Sequence, residues 1–150
     1  GDGASVPAAP LILDAGALYA QADADEPQHA AVARLLRSER GPLVTSQVAV
    51  AEADYLILSR LGVDVELAFL NDLAAGTYLV DSLAQAVLAV ARDVAARYCD
   101  LQLGLADASL VVLAARWQTR RILTFDERAF RAVTPLQGGS FLVLPADASS

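Results

Sequence analysis

The sequence lacks lysine and methionine, and it contains one cysteine, one histidine and one tryptophan among 150 residues. The single cysteine, Cys99, excludes a disulfide within the chain and fits a reducing compartment, so we expect a cytoplasmic protein. The single histidine, His29, excludes catalysis by a pair of histidines. No apolar run approaches the ~18 residues of a membrane span. The N-terminus has no basic segment followed by an apolar one, so we expect no signal peptide. We therefore expect no membrane association.

A hydrophobic fraction of 55% in a chain of this length predicts one domain with a single well-filled core. The opening residues 1–10 are rich in glycine, alanine and proline, and we expect a flexible N-terminus or a remnant of cloning there. Residues 11–150 are expected to form the single domain.

Short apolar strands and longer helical patterns alternate along the chain. Strands are predicted at residues 11–13, 43–45, 77–80, 122–124 and 141–144. Helices are predicted at residues 15–22, 28–37, 47–61, 65–73, 84–98 and 106–117. This alternation predicts an α/β domain with a central, largely parallel sheet and helices on both faces.

Two aspartates follow predicted strands that lie more than a hundred residues apart. Asp14 ends the all-apolar run Leu11-Ile12-Leu13, and Asp126 comes shortly after Ile122-Leu123-Thr124. In open parallel sheets, functional groups gather outside the carboxyl ends of the strands, so these two acids are expected to converge. The alternative reading is that each aspartate only caps the helix that follows it.

Two further acids lie on predicted helices. Glu52 stands among small and apolar residues within the helix at 47–61, where the alternative is an exposed surface position. Asp107 opens the apolar helix at 106–117, where the alternative is a first-turn acid that the helix dipole favours. Four carboxylates around one cavity offer the hard oxygen ligands that Mg²⁺ and Mn²⁺ prefer. A bound ion of this kind activates water and polarises phosphoryl oxygens.

The formal charge of −7 argues against nucleic-acid binding, because phosphate contacts need a basic surface. A metal ion would neutralise the four acids, and setting these aside from the 18 acidic residues leaves 14 against 11 arginines. A C-terminal group of arginines supplies a candidate RNA contact, although arginines on a helix face are often only solvated. The candidates are Arg116, Arg120, Arg121 and Arg128, with Arg131 close by.

The order of these acids resembles that of the PIN-domain ribonucleases, in particular the VapC toxins of bacterial VapBC toxin–antitoxin modules. The matching stretches are residues 11–15 (LILDA), 27–29 (PQH), 52–55 (EADY), 105–108 (LADA) and 124–130 (TFDERAF). No single stretch is specific, but the ordered set spans nearly the whole domain. One departure is Gly16, which stands where the family often has Ser or Thr.

The resemblance implies a PIN-like fold and an endoribonuclease that uses Mg²⁺, or alternatively Mn²⁺, to hydrolyse RNA. By position, Asp14, Glu52, Asp107 and Asp126 match the family's acidic quartet, which serves in catalysis and metal binding, and Thr124 matches a supporting hydroxyl residue. It also implies a homodimer and a cognate VapB-like antitoxin, whose tail blocks the site.

The residues alone leave two alternative functions open. The same acidic metal site would serve a phosphatase or a structure-specific DNA nuclease, and the fold alone would serve a non-catalytic interaction module. A phospho-receiver domain, which also places an aspartate at a strand end, is discounted because it needs a lysine.

Overall fold

Five parallel strands form one sheet within residues 8–148, the part of the chain that the computed structural model describes. The strands are β1 (Leu11–Leu13), β2 (Leu43–Ser46), β3 (Leu79–Asp81), β4 (Arg121–Leu123) and β5 (Leu142–Leu144). Their order across the sheet is β3-β2-β1-β4-β5, and all four neighbouring pairs are parallel.

Seven α-helices connect or follow these strands in the described part of the chain. They are α1 (Ala15–Ala22), α2 (His29–Ser38), α3 (Gln47–Leu61), α4 (Val63–Ala74), α5 (Gln85–Arg97), α6 (Gly104–Arg116) and α7 (Glu127–Ala132). A single 3₁₀ turn at Cys99–Leu101 joins α5 to α6.

The two faces of the sheet carry separate parts of the core. On β1, Ile12 packs with apolar side chains drawn mainly from α5, α6 and α7, whereas Leu11 and Leu13 pack with those of α1 to α4. All three residues are completely buried. Successive side chains of a strand point to opposite faces, so a run that is apolar throughout requires helices on both sides. The predicted α/β architecture is therefore confirmed.

The boundaries of α3 follow from its flanking residues. The Ser46 hydroxyl accepts a hydrogen bond from the backbone N–H of Ala49 at 3.0 Å and so caps the N-terminus. Gly62 ends the helix with φ at +91°, a conformation that a residue with a Cβ rarely adopts. The helix predicted at 47–61 has these bounds.

Other boundaries differ from those expected from the sequence. Helix α6 begins at Gly104 rather than 106, and Asp107 still lies in its first turn, as expected. Helix α7 was not predicted from the sequence, and Thr124 follows β4 instead of ending it.

The segment that precedes β1 is only partly described. Most of the segment 1–10, expected to be flexible or a remnant of cloning, lies outside the described residues. Its last part contacts the domain: the carbonyl of Ala9 accepts a hydrogen bond from Arg121, and that of Pro10 accepts one from Thr119.

Candidate active site

The strand order places a switch point between β1 and β4. From β1 the chain extends the sheet in one direction through β2 and β3, then crosses over to add β4 and β5 on the other side. The carboxyl ends of β1 and β4 are thus adjacent, with connections leading away on either side, an arrangement that leaves a crevice in open α/β sheets. Asp14 directly follows β1, and Asp126 lies three residues after the end of β4.

A cavity of about 330 Å³ opens at this edge and brings together all four acids selected from the sequence. Its lining residues are Asp14, Ala15, Gly16, Glu52, Leu103, Gly104, Leu105, Ala106, Asp107 and Asp126. No arginine or histidine is among these described lining residues, so the protein does not neutralise the four carboxylates at the cavity wall.

Asp14 is the most buried of the four acids, with only 6% of its surface exposed. Its Oδ1 accepts a hydrogen bond from the backbone N–H of Ala17 at 2.8 Å and caps α1. Its Oδ2 accepts a hydrogen bond from the hydroxyl of Thr124. These two bonds fix the orientation of the carboxylate, and each of its oxygens keeps a lone pair for a further partner.

Thr124 connects Asp14 to Asp126. While its hydroxyl donates to Asp14, the same oxygen accepts a hydrogen bond from the backbone N–H of Asp126 at 3.0 Å. Asp126 in turn caps α7, because its Oδ1 accepts a hydrogen bond from the backbone N–H of Ala129 at 3.2 Å. Asp14 and Asp126 therefore serve as helix caps and also line the cavity, so capping a helix does not keep either carboxylate out of a site.

Helices α3 and α6 deliver the remaining two acids. Glu52 is exposed and lies one and a half turns into α3, whereas Asp107 is half-buried in the first turn of α6. The wall beside Asp107 consists of residues 103–106. None of them was predicted as a site residue, although 105 and 106 belong to the matching stretch LADA. The available signal was Gly104, whose φ of +78° lets the chain enter α6 from a sharp turn.

Burial and mutual repulsion disturb two of the carboxyl groups. Burial raises the pKa of Asp14 to about 6, against the opposing hydrogen bonds from Thr124 and Ala17, and the charges of Asp126 and Glu52 raise it further. Burial, together with the charges of the other three acids, raises the pKa of Asp107 to about 7. Each charge is felt by its neighbours, so the four carboxylates act as one electrostatic group.

The four acids line the cavity, but their carboxylates are too far apart to bind one metal ion together. Across residues 8–148, no three carboxylate, imidazole or thiol side chains are already close enough together to hold a metal ion. Repulsion among carboxylates favours such a spread, and a divalent cation would draw them inward. The donor set fits Mg²⁺ or Mn²⁺, because both ions take hard oxygen ligands and complete their coordination with water.

Three of the four arginines selected as RNA contacts are held by other parts of the protein. Arg121 forms an ion pair with Glu39, and Arg116 lies 3.5 Å from a carboxylate oxygen of Asp81. Arg120 donates a hydrogen bond to the carbonyl of Gly138 at 2.7 Å.

Arg128 differs from these three. It is exposed on α7, two residues after Asp126, and it forms no ion pair or hydrogen bond with another side chain in the described part of the chain. Arg131, further along the same helix, forms ion pairs with Glu127 and Asp147. Arg128 is thus the arginine of this group nearest in sequence to a cavity acid.

The single histidine and the single cysteine both lie outside the cavity lining. The Nδ1 atom of His29 lies 2.7 Å from the carbonyl oxygen of Ala20, which gives the histidine a structural contact between α2 and α1. Cys99 is exposed in the 3₁₀ turn. Within the described residues, no helix is both long and apolar enough to cross a membrane.

Comparison with known proteins gives concordant results. The PIN domain family matches residues 11–134 of the chain. Ribonuclease VapC26 of Mycobacterium tuberculosis is 46% identical over 135 residues, which cover 90% of this chain and all of that protein.

Two solved structures share the fold. The crystal structure of Mycobacterium tuberculosis VapC20, described as a sarcin-ricin loop cleaving toxin, superposes with a TM-score of 0.73 at 17% identity, over 78% of this chain and 90% of that one. VapBC2 from Rickettsia felis, bound to a DNA fragment from its promoter, gives a TM-score of 0.62 at 11% identity, over 85% and 95% of the two chains.

Proposed function

This chain belongs to the PIN-domain family, as a VapC-type member, and on that premise we propose that it is a metal-dependent endoribonuclease toxin. Its substrate is RNA, its cofactor is Mg²⁺ or Mn²⁺, and its reaction is hydrolysis of a phosphodiester bond. One observation carries the proposal most strongly: four acids from four separate segments line one cavity. The relative named ribonuclease VapC26, at 46% identity, supports RNA as the substrate.

The four acids receive different roles from their surroundings. The principal ligands of the cation would be Asp14, which Thr124 and Ala17 hold in place, and Asp107, in the first turn of α6. Glu52 is exposed, so it would complete the site or orient the attacking water. Asp126 would act through a bound water or a second ion.

The bound cation would supply an activated water and polarise the phosphoryl oxygens. The raised pKa values of Asp14 and Asp107 show how unfavourable their joint ionisation is without a compensating positive charge. Cation binding and loss of their protons are therefore linked, and activity should rise with pH through the range around 6 to 7. In-line attack by water on phosphorus yields 5′-phosphate and 3′-hydroxyl ends.

Arg128 is the proposed contact to the RNA backbone. It is exposed and close in sequence to Asp126, whereas Arg116, Arg120 and Arg121 contact Asp81, Gly138 and Glu39. A guanidinium offers bidentate hydrogen bonds to a phosphate, and the exposure of Arg128 leaves its own available.

The proposed partner is a cognate antitoxin whose tail places an arginine among the four carboxylates. Uncompensated negative charge attracts a guanidinium, and a chain of net charge −7 favours a basic partner. We further propose a homodimer. Exposed apolar side chains on α3 and α4 could be buried in the interface with the antitoxin or with a second copy of the chain. They are Tyr55, Leu58, Val63, Leu67 and Leu70.

A substrate and metal panel tests the proposal. Purified protein is incubated with ribosomal RNA, transfer RNA, messenger RNA, single-stranded DNA and p-nitrophenyl phosphate, in Mg²⁺, in Mn²⁺ and in EDTA. We expect cleavage of RNA alone, with either metal, and none in EDTA or with Asp14→Asn. Undiminished cleavage in EDTA would contradict the metal-dependent mechanism. Hydrolysis of DNA or of the phosphate ester instead of RNA would contradict the proposal that RNA is the substrate.

A further inference from the structure

Two buried serines join the helices that carry Glu52 and Asp107. Ser46 ends β2 and caps α3, and Ser109 lies in α6, two residues beyond Asp107. Both serines are completely buried, and their hydroxyl oxygens are 3.0 Å apart. A fully buried hydroxyl must find partners inside the protein, because leaving it unpaired costs the desolvation of a polar group.

The neighbouring groups determine how the protons are arranged. The Ser109 oxygen lies 2.6 Å from the carbonyl oxygen of Ala106, which can only accept. A hydroxyl has one proton, so Ser109 donates to Ala106 and the proton of Ser46 points to Ser109. Ser46 meanwhile accepts from the backbone N–H of Ala49. The result is one directed series of hydrogen bonds from Ala49 through the two serines to Ala106.

This series connects the first turn of α3 to the first turn of α6. Ala106 lines the cavity and directly precedes Asp107, while Glu52 follows Ser46 by less than two turns of α3. The two acids come from helices that the chain connects only through β3, α4 and α5. A direct bond between the helix starts therefore restrains the separation of the two carboxylates.

We propose that Ser46 and Ser109 are positioning residues, which hold α3 and α6 at the spacing that lets Glu52 and Asp107 serve one cation. The inference rests on the proposed function, since it assigns the pair to the metal site of that enzyme. Neither serine lines the cavity, so the pair acts through the helices and not by touching the cation or the RNA.

The test deletes one hydroxyl and measures metal binding apart from activity. Binding of Mn²⁺ to the RNA-free protein is followed by electron paramagnetic resonance for the wild type, Ser109→Ala and Ser109→Cys. The cysteine variant keeps a similar volume but supplies only a weak donor. The matched control is Thr119→Val. It deletes a buried hydroxyl that donates to the carbonyl of Pro10, just before β4 and β1 begin and therefore at the opposite end of these strands from the acids.

We expect the Mn²⁺ dissociation constant to rise about tenfold in both Ser109 variants, in the range found when groups that orient metal ligands are removed. In RNA cleavage kcat should fall while KM stays within about twofold, and Thr119→Val should match the wild type in both assays. If Ser109→Ala does not fold, the cysteine variant decides alone.

The outcomes separate this inference from the proposed function. A Ser109→Cys protein with wild-type Mn²⁺ affinity and kcat would overturn the positioning role while leaving the ribonuclease assignment intact. An equal loss in Thr119→Val would also overturn it, because any buried hydroxyl would then have the same effect. A wild-type protein that neither binds Mn²⁺ nor cleaves RNA would overturn both proposals.

Discussion

Replacing Asp14 with asparagine should stabilise the metal-free protein while abolishing its activity. Burial and neighbouring charges raise the pKa of Asp14 from the 3.8 of an exposed aspartate to about 6. A rise of about two in pKa corresponds to about 3 kcal/mol of free energy. The free energy of unfolding falls by this amount when the carboxyl group ionises in the folded protein. Asparagine has a similar shape and no charge, so it removes this penalty.

The direction of the pH dependence follows from the raised pKa. Below pH 3.8, Asp14 is protonated in the folded and unfolded chains alike, and ionisation costs nothing. Between pH 3.8 and about 6 the unfolded chain releases the proton that the folded chain keeps, so stability falls as pH rises. Above about pH 6 the full penalty is present, and this contribution of Asp14 should no longer change.

The net gain should be smaller than the full penalty. The side-chain amide of the introduced asparagine would still be able to accept from the N–H of Ala17, but the hydroxyl of Thr124 would lose its carboxylate acceptor, at about 1 kcal/mol. We therefore expect Asp14→Asn to be about 2 kcal/mol more stable than the wild type at pH 7.5 in EDTA, with little difference at pH 4. Added Mn²⁺ should stabilise only the wild type.

Urea unfolding at both pH values measures this difference, provided that the two proteins unfold with the same dependence on urea concentration. Asp25→Asn is the control, because it removes the same charge from an exposed loop position and should change stability by less than about 0.5 kcal/mol. A less stable Asp14→Asn protein at pH 7.5, or an equal gain from Asp25→Asn, would refute the reasoning.

Three further substitutions probe other contacts. Thr124→Val removes the hydroxyl between Asp14 and the N–H of Asp126, so RNA cleavage should fall about 10–100-fold; an unchanged rate would contradict this role. Arg121→Ala leaves the mostly buried Glu39 carboxylate without its ion-pair partner and should cost about 3 kcal/mol in urea unfolding, with cleavage at 25 °C unchanged; a loss below about 1 kcal/mol would show the pair to be dispensable. In Gly16→Ser the added Cβ would lie 3.5 Å from Asp14 Oδ1, an ordinary contact, and serine favours the helix more than glycine does. The protein should therefore be about 0.5 kcal/mol more stable in thermal unfolding. A lower melting temperature would mean that the cavity has no room for this side chain.

The features that the sequence predicted well depend on local chemistry. The run Leu11–Leu13 is apolar throughout and ends at an acid, a pattern that identified both β1 and the first residue of the cavity. The bounds of α3 followed from a capping serine and a terminal glycine. In each case the neighbours that determine the structure lie within a few residues.

The features that it missed depend on distant contacts. Helix α7 has only six residues, and Phe130 within it packs edge-to-face against Phe141 with ring centres 5.6 Å apart, a contact that no local pattern reveals. Arg121 lies in a basic stretch of sequence, yet its partner Glu39 is 82 residues away, so its availability to RNA was not evident from composition.

The acid cavity combines both kinds of information. Local patterns placed Asp14 and Asp126 at strand ends, where sheet topology brings them together. The positions of Glu52 and Asp107 depend on how α3 and α6 pack, and for these the resemblance to the PIN-domain family was needed. The four side chains then meet because the fold joins segments that are far apart in sequence.

RNA cleavage by the four single variants Asp14→Asn, Glu52→Gln, Asp107→Asn and Asp126→Asn, measured in Mg²⁺ beside the wild type, tests the central claim most directly. Each variant removes one carboxylate charge with little change in volume, and circular dichroism verifies that it folds. We expect the wild type to produce 5′-phosphate ends and each folded variant to cleave at least about 100-fold more slowly. Wild-type cleavage by folded Asp14→Asn or Asp107→Asn, or 2′,3′-cyclic phosphate ends from the wild type, would contradict a hydrolytic metal site built on these four acids.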